Sequence, residues 1–287
     1  MLAQVLLSGI ATGCVYGLVA LSFVLVFKAT ETVSFMQGEL LMLGAFAAVL
    51  LVEGGGWPVW LALPAAVLVL FAIGALLEGG VLRRALGQPH LTAVLLTFGL
   101  GLMLRGGVTM VPAATHQMHR LELPLAGVLS LGPLQLAGEH LAVVLATALA
   151  CASLAAFFRF TRAGVALRAC SEDARVAALM GISPTRMHTL AWALGAALAG
   201  FAGVLLAPVT LVHPGMGLIA LKAFPAAVIG GLSSLPGALA GGVLVGVFEA
   251  LTGLYLPDGA KDLAVYGLML AVLLLFPRGL GGRGAAA

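Results

Sequence analysis

Charged residues are scarce in this sequence. Asp, Glu, Lys and Arg make up 9% of the 287 residues, against roughly a quarter in an ordinary soluble domain. Hydrophobic residues make up 62%, so an ordinary soluble globular protein is excluded. The 14 basic residues are spread along the chain and form no stripe that could neutralise a run of phosphates, which argues against nucleic-acid binding.

Several catalytic and binding motifs are also missing. The three cysteines, Cys14, Cys151 and Cys170, form no CxxC pair, so the sequence predicts neither a disulfide framework nor a zinc ribbon. None of the three lysines follows a glycine, which excludes a P-loop. HExxH and GxSxG motifs are absent as well. We therefore expect a protein that is not an enzyme and binds no cofactor or metal of its own.

Long apolar runs dominate the sequence. A bilayer core of about 30 Å needs about 20 consecutive apolar residues in a helix. Division of the runs at Pro, Gly and polar residues predicts an all-α polytopic transmembrane bundle in one domain, 1–287. The predicted segments are 2–27, 37–52, 58–82, 91–111, 140–160, 188–207, 218–232, 237–256 and 262–277.

The number of spans depends on the two shortest segments, 37–52 and 218–232. If all nine segments cross with the N-terminus outside, ten basic residues face the cytoplasm and two, Arg120 and Lys261, face the other side. This bias follows the positive-inside rule. If one short segment is re-entrant, eight spans result and one terminus changes side. We also expect the first segment to be a retained helix, because no basic residue precedes it.

Two connecting loops are long: an outer loop at 112–139 and a cytoplasmic loop at 160–187. His116, His119 and Glu122 in the outer loop have a spacing that would align three zinc ligands on a helix. Pro112 and Pro124 bracket this polar stretch, however, so we interpret it as a solvated loop.

The inner loop contains a predicted short amphipathic helix at 172–180. Val176, Leu179 and Met180 fall on one side of it, which favours contact with another protein. Gly181 is typical of a helix end, and Ser183-Pro184 of the start of the next helix.

Small residues recur at every fourth position in three segments, which favours close helix packing in lipid. Surfaces that slide or line a path are the alternative interpretation. The glycines that we predict to pack helices together are Gly9, Gly13, Gly17, Gly195, Gly203, Gly242 and Gly246.

Ionisable groups within membrane segments are candidate functional residues. Glu78 lies within a turn or two of Arg83 and Arg84, and Arg105 lies in the outer part of its segment, so we expect Glu78 and Arg105 each either to snorkel or to pair. Glu249 and Lys222 can pair with each other or with Arg105. Polar stretches at 30–39 and 230–237 also interrupt apolar sequence, and irregular backbone at that depth is tolerated where protein buries it or water lines it. The predicted translocation path therefore contains Gln37, Glu39, Lys222 and Ser234.

Three blocks of sequence resemble the permease subunits of branched-chain amino acid ABC importers, the LivH type. The first is Val33-Ser34-Phe35-Met36-Gln37-Gly38-Glu39, followed by Met42-Leu43-Gly44-Ala45; the second runs from Arg168 through Leu179-Met180-Gly181-Ile182 into Ala193–Gly203; the third runs from Lys222 to Ala238. Ser34, Met36 and Arg175 depart from the family pattern.

The resemblance implies several partners: a second related permease, two cytoplasmic ATPases and a periplasmic substrate-binding protein, in a bacterial inner membrane. It also implies that ATP is used by the partner subunits. The residues expected to couple to the ATPases are Val176, Ala177, Leu179, Met180 and Gly181. Branched-chain amino acids, urea, short amides and other small solutes all remain candidate substrates, and the pairing is with a second type of permease or with a copy of this chain.

An ion-coupled secondary transporter or a channel is the alternative function. Such a protein is expected to place an ionisable relay near the middle of the membrane. The sequence shows no carboxylate that is clearly central, which favours the importer permease.

Overall fold

A computed structural model describes residues 2–85, 88, 90–111, 121, 128–131, 134–257, 260–276 and 279–281. In these ranges the chain forms eleven α-helices and one β-hairpin. The helices are α1 (Leu2–Thr30), α2 (Gln37–Val49), α3 (Val59–Gly80), α4 (His90–Thr109), α5 (Gly138–Phe160), α6 (Arg162–Glu172), α7 (Ala174–Leu179), α8 (Pro184–Leu206), α9 (Ile219–Gly230), α10 (Leu235–Tyr255) and α11 (Ala260–Leu275).

Every predicted membrane segment corresponds to a helix. Within the described part of the chain, seven helices are long and apolar enough to cross a bilayer: α1, α2 with its π-helical extension Leu50–Gly54, α3, α4, α5, α8 and α10. The segments around α9 and α11 are apolar but shorter. The predicted polytopic helical bundle is therefore confirmed.

The centre of the bundle is formed by α1 and α8. Most side chains of both helices are buried inside the protein. In contrast, α3, α4 and α5 expose large apolar side chains, among them Leu76, Leu95 and Leu149. In a bilayer, such faces meet lipid or another apolar subunit, so they mark the outside of this protomer.

Helices α1–α4 and α8–α11 pack in matching ways. Helix α1 lies along α10 and α3 lies along α8, while the short helix α2 packs on α8 and the short helix α9 packs on α1. Helix α4 then contacts α2 as α11 contacts α9. Because α1 and α8 run in opposite directions through the membrane, the two halves form an inverted pair.

Both short helices begin in the interior of the bundle. A methyl group built on Gly195, midway along α8, would lie 3.6 Å from the Gln37 amide nitrogen. Gly38 packs against Gly217 and Ala220, at the start of α9. From this point α2 runs parallel to α8, with Gly44 against Gly200, while α9 runs the opposite way. Non-helical backbone at 31–35 and 207–215 therefore carries the chain between one membrane face and the middle.

These non-helical stretches explain why the sequence leaves the number of spans open. The choice between eight and nine spans therefore stays a prediction, alongside the seven helices of the described chain that are long and apolar enough to cross a bilayer.

The predicted outer loop contains a hairpin of β1 (Val128–Leu131) and β2 (Leu134–Ala137). The strands are antiparallel, with Val128 opposite Ala137 and Leu131 opposite Leu134. His116, His119 and Glu122 lie outside the described residues.

Candidate functional site

The chain between α1 and α2 carries buried polar groups in the interior of the bundle. Ser34 and Gln37 are almost fully buried, and neither the Ser34 hydroxyl nor the Gln37 amide has a hydrogen-bond partner among the described residues. The backbone nitrogen of Phe35 donates to Thr97 Oγ1 on α4 at 3.2 Å, which ties this segment to α4. Unpartnered buried polar atoms are rare in proteins and mark places where water or a ligand is expected.

Glu39 lies on a different side of the first turn of α2 from Gln37. Its side chain packs against Gly101 on α4 and against Gly217, just before α9. Glu39 is only partly buried, but its Oε2 atom is enclosed and has no hydrogen-bond partner in the described chain. The structure thus places Glu39 where α2, α4 and the start of α9 meet.

Lys222 forms a salt bridge with Glu249. Its Nζ lies 2.8 Å from Glu249 Oε1, and Tyr16 donates from its hydroxyl to Glu249 Oε2 at 2.7 Å. This confirms the first of the two pairings left open by the sequence. The cluster connects α1, α9 and α10, and its partial burial leaves Lys222 within reach of solvent or substrate.

Ser234 lies away from the other three predicted path residues. It is the N-cap residue of α10, and its Oγ accepts from the Gly237 backbone nitrogen at 3.1 Å. It also lines a cavity with Lys28 and Arg168 at the cytoplasmic end of the bundle. Of the predicted path residues, the structure therefore groups Gln37 and Glu39 at the start of α2 and separates Ser234 from them.

A second charged cluster connects α3 to α8 on the cytoplasmic side. The buried carboxylate of Glu78 accepts from Arg83 Nη2 at 3.1 Å and from Thr189 Oγ1 at 2.6 Å. Of the two roles that the sequence leaves open for Glu78, snorkelling and pairing, the structure shows pairing with Arg83. Because its carboxylate is buried and hydrogen-bonded to two residues, Glu78 links α3 to α8 and has a structural role.

The recurring glycines lie at helix contacts. Methyl groups built on Gly9 and Gly13 would lie 2.7 Å from Ala250 Cβ and Val243 Cα of α10, respectively. Gly242 and Gly246 face Gly17 and Gly13 across the same contact. The remaining two of the predicted glycines, on α8, also lack room for a side chain: Gly195 abuts Val26 of α1, and Gly203 abuts the Leu41 carbonyl of α2.

The cytoplasmic loop is more helical than the sequence predicts. Helix α6 forms upstream of the predicted short helix, capped by Thr161, whose side chain accepts from the Gly164 backbone nitrogen at 3.0 Å. Arg168 donates to the Phe158 carbonyl and thereby attaches α6 to the end of α5. The loop is therefore a folded pair of helices packed onto the bundle.

The predicted short helix is present as α7 and ends where predicted. Gly181 has a φ of +83°, a conformation that favours glycine. Ala177 is 4% exposed, whereas Val176, Leu179 and Met180 are 55%, 86% and 79% exposed. We call these three exposed residues the apolar patch of α7. Large exposed apolar side chains beside charged neighbours indicate a contact surface.

Asp173 caps the start of α7. Its carboxylate accepts from the backbone nitrogens of Val176 and Arg175, and these hydrogen bonds hold the pKa of Asp173 below its ordinary value. Ser183 occupies the N-cap position of α8 but makes no side-chain capping hydrogen bond.

Sequence reasoning missed several residues of these clusters. Tyr16 and Thr189 are polar partners on distant helices, and no local spacing relates them to Glu249 or Glu78. Gly217 is a further example, since it is close to Glu39 only because α2 and α9 begin at the same place.

Comparison with known families gives one match that spans most of the chain. The family model described as "Branched-chain amino acid transport system / permease component" matches residues 5–275. The high-affinity branched-chain amino acid transport system permease protein LivH of Escherichia coli (strain K12) is 31% identical over 297 residues, covering 98% of this chain and 95% of the relative. The corresponding BraD protein of Pseudomonas aeruginosa is 32% identical over 293 residues, with the same coverage.

A solved structure with low sequence identity has a similar fold. The structure titled "PsaBC from Streptococcus pneumoniae in complex with Fab" matches with a TM-score of 0.51 over 98% of this chain and 93% of that chain. The identity is 16%, so this likeness concerns the architecture of the helices alone.

Proposed function

The chain belongs to the family of permease components of branched-chain amino acid transport systems, and from this membership we propose that it forms the translocation path of an ATP-binding-cassette importer for branched-chain amino acids. The observation that carries the proposal is the family match over residues 5–275. As a permease component the chain is a multi-pass membrane protein and not an enzyme. Its proposed location is the bacterial inner membrane.

The proposed complex gives this chain four kinds of partner. They are a second related permease, two cytoplasmic ATPases, a periplasmic substrate-binding protein and the lipid around them. The apolar faces of α3, α4 and α5 are available for lipid and for the second permease. ATP is used by the ATPase subunits, and this chain carries no nucleotide site of its own in the proposal.

The apolar patch of α7 supports the proposed contact with an ATPase. The patch belongs to a loop whose basic residues the charge count assigns to the cytoplasm. Ala177 anchors α7 to the bundle while the three larger side chains point away from it. A movement of α7 would reach the centre of the bundle through α8, because only four residues separate the two helices.

Transport assays in proteoliposomes test the proposal directly. The permease pair, the ATPases and the binding protein are reconstituted together, and uptake of leucine, isoleucine and valine is measured with ATP inside. We expect uptake that requires both ATP and the binding protein. Uptake that proceeds without ATPases and follows an ion gradient would instead identify an ion-coupled transporter, and uptake of urea or amides in place of leucine would overturn the proposed substrate.

A further inference from the structure

Glu39, at the start of α2, and Arg105, on α4, carry opposite charges and lie near each other without direct contact. The Glu39 Cγ packs on Gly101 of α4, and a methyl group built on Gly101 would approach it to 3.3 Å. Arg105 lies one turn further along α4, on the same side of the helix as Gly101. Arg105 is close enough to act electrostatically on Glu39, yet these two side chains, both described by the structure, form no ion pair.

The open arrangement is unusual for two partly buried charges. A carboxylate and a guanidinium that serve only to hold two helices together gain most by direct contact, because each is costly to leave unpaired away from water. Here Glu39 Oε2 is enclosed without a hydrogen-bond partner in the described chain. The gap therefore points to a third group that completes the pair.

We propose that Glu39 and Arg105 form a transient binding station for the zwitterion of an α-amino acid, with the ammonium on Glu39 and the carboxylate on Arg105. The proposal rests on the proposed function and assigns its substrate contacts. An α-amino acid carries both charges on adjacent carbons, so one molecule supplies a counter-ion to each side chain. Urea and short neutral amides carry neither charge and would leave both unpaired.

The surroundings of the pair fit an amino acid with an aliphatic side chain. Phe35, four residues before Glu39, is 39% exposed, and its ring packs against that of Phe224 with centroids 6.2 Å apart. Leu218, at the start of α9, is also exposed. These exposed groups offer an apolar surface near Glu39 that the second permease of the proposed complex would cover.

Gly217 positions the Glu39 carboxylate. A methyl group built on Gly217 would come within 2.9 Å of both carboxylate oxygens. A side chain at this position would therefore occupy the space that Glu39 uses. This close approach couples the station to the start of α9.

The experiment measures leucine uptake per ATP hydrolysed by the reconstituted importer. We expect Glu39→Gln and Arg105→Gln each to lower this ratio at least tenfold, while assembly with the partner subunits is unchanged. Glu53→Gln and Arg84→Gln are matched controls on exposed charges and should transport normally. Gly217→Ala should resemble Glu39→Gln because it displaces the carboxylate.

The double variant Glu39→Gln with Arg105→Gln separates a station from a structural pair. Removing both charges relieves any cost of an unpaired charge, so a purely structural pair predicts recovery of transport. We expect no recovery, because the zwitterion then has no counter-ion. Normal uptake in either single variant, or recovery in the double variant, would overturn the station. A wild-type importer that takes up no leucine with ATP would instead overturn the proposed function.

Discussion

At the scale of single residues, Lys222 and Glu249 give the clearest prediction. Lys222→Met removes the cation 2.8 Å from Glu249 and leaves a partly buried carboxylate with the Tyr16 hydroxyl. A hydrogen bond to a charged group contributes about 1.5–3 kcal/mol, so we expect a loss of that order. Thermal unfolding of the purified complex measures it. Lys222→Met combined with Glu249→Leu should recover part of the loss, and an equal or larger loss would contradict a pairwise bond.

Asp173 gives a prediction about α7, the helix that we propose to contact the ATPases. Hydrogen bonds from Val176 and Arg175 lower its pKa, so capping of α7 is fully present above the ordinary pKa of aspartate, about 4, and is lost as the pH falls through the lowered value. At neutral pH, Asp173→Ala should reduce copurification of the ATPases by loosening α7. Asp173→Asn keeps an acceptor and should retain them. Equal yields from the two variants would show that capping does not matter for docking.

At the scale of helices, the apolar patch of α7 is the element on which docking should depend. Leu179→Asp with Met180→Asp places two charges where burial of apolar side chains contributes about 1.5–3 kcal/mol each. We expect release of the ATPases and loss of ATP-driven uptake, with membrane insertion and pairing of the permeases intact. Leu179→Met with Met180→Leu preserves apolar character and should behave as wild type. Undiminished copurification of the ATPases with the aspartate variant would contradict the assignment.

The contact between α1 and α10 gives a second prediction at this scale. Gly246→Ala should destabilise the protein, because the added methyl overlaps the backbone of Gly13. Overpacking of this kind costs about 1–3 kcal/mol. Gly203→Leu should act similarly against α2 and lower the yield of assembled complex. Gly267→Ala is the control, since nothing lies within 4 Å of the position where its methyl would be. If the variants unfold at the same temperature as this control, the predicted close packing at Gly246 and Gly203 is wrong.

At the scale of the whole molecule, the orientation in the membrane can be tested by labelling. With Cys14, Cys151 and Cys170 replaced by alanine, a cysteine at Gly54, the last residue of the π-helical extension of α2, should react with an impermeant thiol reagent from outside. A cysteine at Glu172 should react only after permeabilisation. Both positions are exposed in the structure. The reverse pattern would place α7 on the outer side and overturn its proposed contact with the ATPases.

Much of this architecture could be predicted from sequence, because apolar length and charge asymmetry are local properties that a bilayer imposes directly. The glycine series and the end of α7 at Gly181 are local in the same sense. The starts of α2 and α9 in the interior could not be predicted, since they depend on contacts between distant segments. For the same reason the sequence placed Ser234 with Gln37, whereas the fold separates them.

The contact of α1 with α10 also constrains the order in which the protein is made. Roughly 200 residues separate the end of α1 from the start of α10. Protein synthesis adds about 5–20 residues per second, so the groove that Gly9, Gly13 and Gly17 form on α1 stays empty for roughly 10–40 s, until α10 has been made and can fill it. During that interval the groove meets lipid or a chaperone of the insertion machinery. A chain that stops before α10 would keep this groove open, and cellular quality control would have a surface by which to recognise it.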